Sequence, residues 1–241
     1  MATTHRMIDT HCHVLSAVDD GPVSLDESVA VVRELVEQGV TDIVTTPHYI
    51  NGTSYTSTKV QNKKILETLK NRLKAENVKV NILLGNEIYV DNDILKLLEK
   101  KKISPLAKSK YLLVELPLDE EYPNYKDILW DLMNSGYQVI LAHPERYTIV
   151  QENYGILNDI QELGVLFQCN ITSIIGRYGR KAKKIVKEML KNKMVFALAS
   201  DTHHCGKMDY IDLSIKKLSK YCDEAELNQL LVKNPSKIIK G

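Results

Sequence analysis

Seven short apolar runs recur along the chain, separated by amphipathic stretches of helical length. Each run is rich in Val, Ile and Leu, which is typical of strands that are buried on both faces of a parallel sheet. The runs are MIDTHCHV, TDIVTTPH, VNILLGNE, YLLVELP, QVILAHPE, GVLFQCN and MVFALASDTH. The pattern therefore predicts an α/β protein whose parallel strands are joined by right-handed helical crossovers.

The stretches between and after these runs predict eight helices. The first, SLDESVAVVRELVEQG, begins with a capping box formed by Ser24 and Glu27 and ends at Gly39. The other helices are predicted over residues 56–76, 92–102, 125–135, 152–163, 179–192, 209–221 and 224–232.

Two architectures fit this alternation, an open doubly wound sheet and a closed barrel one unit short of eight. No GxGxxG motif follows the first run, and no GxxxxGK[ST] motif occurs in the chain. The phosphate-binding motifs of the doubly wound nucleotide-binding proteins are therefore missing. We expect the barrel.

Imidazole or carboxylate side chains end six of the seven runs. Because strand side chains alternate between faces, His11 and His13 point the same way, as do Asp201 and His203. In a parallel α/β barrel the carboxyl ends of the strands converge on one face. The residues expected there are His11, His13, His48, Glu87, Glu115, His143, Asp201 and His203, with Asp20 on the turn after the first run as a possible addition.

This mixture of donors suits Mn²⁺, Fe²⁺ or Zn²⁺, and the lack of thiolates argues against a closed structural zinc site. Taken singly, each residue is equally well explained as a cap, an ion-pair partner or a loop histidine. Taken together they are not, because burying so many ionisable groups without metal carries a large desolvation cost. Glu87 and Glu115 could bridge ions, so two or three ions are plausible. Such a site can activate water and stabilise a phosphoryl displacement.

Composition narrows the function classes. The 241 residues are 44% hydrophobic and 26% charged, with a net charge of +1, which gives no electrostatic support for a dedicated nucleic-acid partner. No apolar run reaches the roughly 18 residues of a membrane span, and the N-terminus lacks a signal-peptide layout. The protein is therefore predicted to be cytoplasmic and not embedded in a membrane.

The cysteines also bear on mechanism. The four of them (Cys12, Cys169, Cys205 and Cys222) form no CxxC pair, which predicts reduced thiols. None is followed six positions later by arginine, the spacing that a thiol-based phosphatase requires. A covalent phosphocysteine route is therefore not expected.

Several motifs resemble those of the polymerase-and-histidinol-phosphatase (PHP) superfamily. They are MIDTHCHV, DDGP, TTPHY, GNEIYV, VELP, AHPERY, QCNITSIIGRYG and ASDTHH. The match is closest to the metal-dependent protein-tyrosine phosphatases of capsule and exopolysaccharide biosynthesis in Gram-positive bacteria. The resemblance implies one domain, a distorted (β/α)7 TIM-like barrel over residues 7–241, with residues 1–6 as an N-terminal extension.

The resemblance also implies a centre of two or three manganese ions, with Fe or Zn as alternatives. Its implied ligands are His11, His13, Asp20, His48, Glu87, Glu115, His143, Asp201 and His203. Arg146 of AHPERY matches the family arginine that holds the substrate phosphate, and Arg146, Asp20 and His143 are the implied catalytic residues. Family members carry a further arginine after the DxH motif, and this chain has only Lys207 there. The lysine ammonium is a point charge and lacks the paired N–H donors by which a guanidinium binds two phosphate oxygens.

The expected function is hydrolysis of phosphotyrosine in a protein, with a bacterial tyrosine kinase that controls capsule or exopolysaccharide synthesis as the expected substrate. Two alternatives stay open. One is a small-molecule phosphatase acting, for example, on histidinol phosphate. The other is a non-enzymatic, metal-stabilised binding module that docks an acidic partner on the basic stretch 177–193, although that stretch is better explained as the solvated face of a helix.

Overall fold

The computed structural model describes residues 5–206 and 210–240. Within these residues nine strands form a parallel α/β fold. The strands are β1 (Met7–Cys12), β2 (Val40–Thr45), β3 (His48–Tyr49), β4 (Asn81–Leu84), β5 (Glu87–Tyr89), β6 (Tyr111–Glu115), β7 (Gln138–Ala142), β8 (Leu166–Asn170) and β9 (Val195–Ala199).

Helices alternate with these strands and pack on them through buried apolar faces. They are α1 (Leu25–Glu37), α2 (Lys59–Ala75), α3 (Ile94–Glu99), α4 (Tyr125–Asn134), α5 (Thr148–Glu152), α6 (Ile156–Glu162), α7 (Gly179–Lys191), α8 (Tyr210–Leu218), α9 (Glu224–Asn228) and α10 (Asn234–Lys240). No helix in the described part of the chain is long and apolar enough to cross a membrane.

Two of the seven predicted strands are each broken into two short strands. The run TDIVTTPH divides into β2 and β3 at Pro47, which has no N–H to donate to a neighbouring strand. The run VNILLGNE divides into β4 and β5 at Gly85, where a Cβ would lie 2.7 Å from Leu106 Cδ2. Close packing against the 3-10 turn Leu106–Lys108 therefore requires glycine at that break.

The strands lie in two sheets with the orders β1-β2-β4 and β3-β5-β6-β7-β8-β9. The first and last strands approach each other just beyond their carboxyl ends. There the His13 N–H donates to the Thr202 carbonyl at 2.8 Å and the Asp201 N–H donates to the His11 carbonyl at 2.8 Å. The expected parallel α/β fold is confirmed, with its wall divided between two sheets.

Three helix predictions need correction. Ser24 caps α1 as expected, but the Glu27 side chain accepts from the Val23 N–H, so the reciprocal capping box is incomplete. The predicted helix 152–163 begins only at Ile156, as α6, and Glu152 is instead the last residue of α5. The last predicted helix continues past residue 232 through a π turn into α10, and the π turn, in which the Asn234 N–H bonds to the Gln229 carbonyl, ends directly before Pro235, which has no N–H to donate.

The C-terminal helix contributes to a small apolar cluster between the strands. Ile238 is fully buried, and the Asn234 side-chain amide donates to the Phe196 carbonyl at 2.8 Å. We call this the lower cluster; its members are Val44, Leu106, Leu113, Ile140, Ala142 and Ile238. The apolar face expected for α7 is also buried, which leaves its basic residues on the outside.

Candidate metal centre

All nine predicted ligand residues come together at the carboxyl ends of the strands. They lie on or just after six strands (β1, β3, β5, β6, β7 and β9), with Asp20 on the loop that follows β1. His143 and Asp201, which follow β7 and β9, have left-handed backbone angles, with φ of 31° and 52°. Such angles are uncommon for residues other than glycine, and they often occur where a functional side chain must be turned toward a site.

Glu87 is at the centre of this group. Its Oε2 atom lies 3.0 Å from His11 Nε2 and 3.2 Å from both His13 Nε2 and His48 Nδ1. Its Oε1 atom lies 2.9 Å from His143 Nε2. Burial alone would raise the pKa of this carboxyl, but the surrounding imidazoles lower that pKa well below its usual range.

Three overlapping sets of side chains present donor atoms that lie within 4.8 Å of one another. Glu87 belongs to two of the sets, as do His13 and His48. The sets are His13, Asp20, His48 and His203; His11, His13, Glu87 and Asp201; and His48, Glu87 and Glu115. His143 Nε2 lies 3.5 Å from Glu115 Oε1, beside the third set.

The donor chemistry of these sets fits divalent metal ions. Glu87 Oε2 and His48 Nδ1 are buried and have no hydrogen-bond partner of acceptable geometry, although they lie within ion-pair distance of each other. Buried polar atoms are rarely left in this state. Carboxylate and imidazole atoms that converge without hydrogen bonding are the arrangement that a bound cation would satisfy.

Two orienting residues were missed by the sequence predictions. Asp19 Oδ2 lies 2.9 Å from His13 Nδ1, and Gln168 Oε1 lies 2.6 Å from His11 Nδ1. Since both oxygens are acceptors, Nδ1 of each histidine carries a proton and donates it, which turns the Nε2 atom of each ring into the cluster. The sequence feature that could have indicated Gln168 is the end of the run GVLFQCN. It carries amide side chains where the other six runs carry imidazole or carboxylate side chains.

Asp19 also holds the loop after β1. Its carboxylate accepts hydrogen bonds from the backbone N–H groups of Gly21 and His48 at 3.0 Å. Burial would raise the pKa of Asp19, but the hydrogen bond with His13 lowers it, so the group stays ionised. The neighbouring Asp20 is more exposed, and the hydrogen bond from His203 lowers its pKa to about 2.

Arg146 lies at the edge of the cluster, on the 3-10 turn Pro144–Arg146 after β7. Its Nη1 donates to Asp201 Oδ2 at 3.0 Å, and its Cζ lies 4.6 Å from the centroid of the Tyr178 ring. The same Asp201 oxygen accepts from the Asn170 side-chain amide at 2.6 Å. The arginine is therefore fixed on one side by an ion pair and on the other by an aromatic face.

Arg146, Asp201 and Tyr178 line one cavity of about 510 Å³. Its wall contains Glu87, Glu115, His143 and Arg146 and is completed by Arg177, Tyr178 and Tyr210. Lys207, the predicted second cationic contact, lies outside the described residues.

A model of the family "Capsular polysaccharide synthesis, CpsB/CapC" matches residues 7–240 of the chain. The chain belongs to the CpsB/CapC family. The family resemblance inferred from the motifs is thereby confirmed. The tyrosine-protein phosphatase CpsB of Streptococcus pneumoniae is 32% identical over 242 residues, which cover 97% of this chain and 98% of that protein.

Solved structures extend the comparison. The fold is similar to a crystal structure from work on YwqE from Bacillus subtilis and CpsB from S. pneumoniae, described as unique metal-dependent tyrosine phosphatases. The TM-score is 0.90 at 29% identity, covering 97% of this chain and 94% of that one. Histidinol phosphate phosphatase from Lactococcus lactis has a TM-score of 0.62 at 17% identity, with 93% and 95% covered, a likeness of fold alone.

Proposed function

We propose that this CpsB/CapC-family protein is a manganese-dependent protein-tyrosine phosphatase. The observation that carries the proposal is the convergence of three metal-ligand sets and one partly buried arginine on a single cavity. The 32% identity to a tyrosine-protein phosphatase over nearly the whole chain supports the substrate class. We further propose that the substrate is a bacterial tyrosine kinase of capsule or exopolysaccharide synthesis and that the protein acts in the cytoplasm.

Nine residues would hold two or three ions. Divalent ions at this position would activate water as a nucleophile and neutralise charge on the phosphoryl oxygens. Manganese suits a donor set that mixes imidazole with carboxylate and contains no thiolate. The proposed ligands are His11, His13, Asp20, His48, Glu87, Glu115, His143, Asp201 and His203.

Arg146 would bind the phosphate of the substrate. Only its Nη1 is engaged by Asp201, so its other N–H donors remain available to two phosphate oxygens. Because Asp201 and the Tyr178 ring already hold the guanidinium, little side-chain freedom is lost when the phosphate binds. The same donors would follow the charge that develops on the phosphoryl group in the transition state. Lys207 is proposed as a second cationic contact.

Asp20 and His143 are the other proposed catalytic residues. With a pKa of about 2, Asp20 is ionised at neutral pH, so it suits ligation of a cation and does not suit proton donation to the leaving phenolate. His143 directs Nε2 toward Glu87 from the strand next to Glu115, which places it deep in the cavity wall.

The cysteines give no support to a thiol mechanism. Burial raises the pKa of the Cys12 thiol well above its usual value, and the same holds for Cys169. Both would be protonated and unreactive at neutral pH. Cys205 lines the cavity, but no arginine follows it at the required spacing.

The experiment that tests the proposal measures phosphate release from a phosphotyrosyl peptide and from histidinol phosphate, each with Mn²⁺ and with chelator. We expect metal-dependent turnover that favours the peptide, and loss of turnover in His143→Ala. A preference for histidinol phosphate would keep the metal chemistry and reject the proposed substrate. Equal turnover in chelator would reject the metal mechanism.

A further inference from the structure

The cavity is lined by two arginines, and each lies over an aromatic ring. Arg146 lies over Tyr178, as described above. Arg177, at the end of the loop before α7, lies over Tyr210 of α8, with 5.2 Å between its Cζ and the ring centroid. Both arginine–tyrosine pairs contribute to the wall of the cavity.

The two arginines differ in how their charge is compensated. Arg146 is mostly buried and is paired with Asp201. Arg177 is exposed, and none of residues 5–206 and 210–240 presents a carboxylate within 4.0 Å of its guanidinium. The proposed reaction already employs Arg146, whereas nothing in the described part of the molecule employs the charge of Arg177.

Arg177 also marks where the cavity opens outward. A shallow groove of about 390 Å³ adjoins the cavity and shares Arg177, Gly206 and Tyr210 with it. At the other end of this groove, Lys183 Nζ lies 3.8 Å from where a Cβ on Gly176 would stand. A peptide that leaves the cavity along the groove would therefore pass an arginine and a lysine.

We propose that Arg177 binds an acidic side chain that flanks the phosphotyrosine of the substrate protein. This inference rests on the proposed tyrosine phosphatase function and adds a preference for acidic sequence around the target tyrosine. The substrate ring and phosphate would occupy the cavity beside Arg146, while the flanking residue would lie in the groove beside Arg177.

The chemistry of the groove favours a carboxylate as this flanking group. A guanidinium presents two parallel N–H donors that match the two oxygens of a carboxylate. The Tyr210 ring supports one face of the Arg177 guanidinium, which restricts its orientation. The first turn of α7, which follows Arg177 in the chain, carries no acidic residue that would compete for this guanidinium.

The test compares kcat/KM for two peptides that each carry one phosphotyrosine, flanked by Glu residues in one peptide and by Gln residues in the other, with Mn²⁺ present. We expect the wild-type protein to favour the Glu peptide about fivefold, as for a partly exposed charge pair. In Arg177→Gln we expect this ratio to fall to about one. The matched control Arg180→Gln removes the same charge outside the groove, and we expect it to keep the wild-type ratio.

The ratio separates recognition from folding, because a misfolded variant would lose activity toward both peptides equally. A second variant, Arg177→Glu, is expected to prefer a peptide with Lys in the flanking positions. If the wild type hydrolyses both peptides at the same rate, or if Arg177→Gln keeps the preference, the role of Arg177 is wrong and the phosphatase function stands. If the wild type hydrolyses neither peptide, both proposals are wrong.

Discussion

The lower cluster and the metal-ligand cluster lie along the same strands. They differ in whether their side chains satisfy one another or need a bound cation. On β6, Leu113 belongs to the lower cluster and Glu115, two residues later on the same face, belongs to the ligand sets. The lower cluster consists of side chains that satisfy one another by packing, with Ile238 from α10 fully buried among them. Apolar packing of this kind needs no further component.

The side chains of the ligand cluster do not satisfy one another's charges and hydrogen-bonding groups. Burial, together with the charges of Glu87 and Asp201, raises the pKa of Glu115 well above its usual value. The imidazoles, led by His11 and His143, lower the pKa of Asp201 despite its burial. Neighbouring carboxyls pushed in opposite directions, beside orphaned polar atoms, are the condition that bound cations would relieve. The strands thus carry stabilising apolar packing at one end and unsatisfied metal-binding groups at the other.

The strongest way to break this comparison is to remove the shared carboxylate of the ligand cluster. Glu87→Gln keeps the size of the side chain but removes the charge that contacts four histidines. We expect kcat/KM for p-nitrophenyl phosphate to fall about 10³-fold, together with bound metal measured by mass spectrometry. Glu120→Gln, on an exposed residue, is the control. Retained metal and activity in Glu87→Gln would show that Glu87 is not the central ligand.

The lower cluster is expected to respond in the opposite way. Ile238→Ala removes a fully buried side chain, and we expect it to lower the free energy of unfolding by about 3 kcal/mol. Metal content and kcat/KM at 20 °C should stay close to wild type. Denaturant unfolding would measure the loss, with Ile239→Ala, which is only partly buried, expected to cost less. A selective loss of metal in Ile238→Ala would mean that the two clusters are not independent.

Metal removal tests the same contrast without mutation. Ions present at about 100 times their dissociation constant stabilise the folded state by about 2.7 kcal/mol. For a chain of this size, chelation should lower the melting temperature by about 5–10 °C. Calorimetry should give the same shift in Ile238→Ala and little or none in Glu87→Gln. A chelator shift that persists in Glu87→Gln would place the stabilising ion elsewhere.

The smallest expected effect comes from the orienting carboxylate. Asp19→Asn weakens the hydrogen bond that directs His13 Nε2 into the cluster. We expect the Mn²⁺ concentration for half-maximal activity to rise about tenfold to a hundredfold, as is usual for residues that orient metal-binding histidines. A titration of activity against Mn²⁺ would measure this rise. An unchanged titration curve would mean that Asp19 only holds the loop after β1 and does not orient His13 for metal binding.

Alternation along the strands was enough to predict which side chains gather at the carboxyl ends. His11 and His13 occupy the same face because they are two residues apart, and that rule needs no knowledge of the rest of the chain. The break at Gly85 could not be predicted in this way, since it arises from contact with Leu106, which is 21 residues away. The continuation of the last helix through Pro235 could not be predicted either, since it accompanies the π turn Gln229–Lys233.

The orienting residues and Arg177 were harder to predict for a related reason. Asp19 and Gln168 gain their roles from the histidine nitrogen that each one contacts, and a sequence does not specify that nitrogen. Arg177 belonged both to the motif QCNITSIIGRYG and to a basic stretch, and neither indicated that it lines the cavity. Its place over Tyr210 depends on how the loop before α7 packs against α8.

The most direct test of the central claim is the rate of phosphate release from a phosphotyrosyl peptide as Mn²⁺ is added back to chelator-stripped protein. The account predicts no measurable release without metal, and release that rises and saturates as two or three ions bind per chain. Full activity in the stripped protein would contradict the account, because the site would then hydrolyse phosphotyrosine without a bound cation.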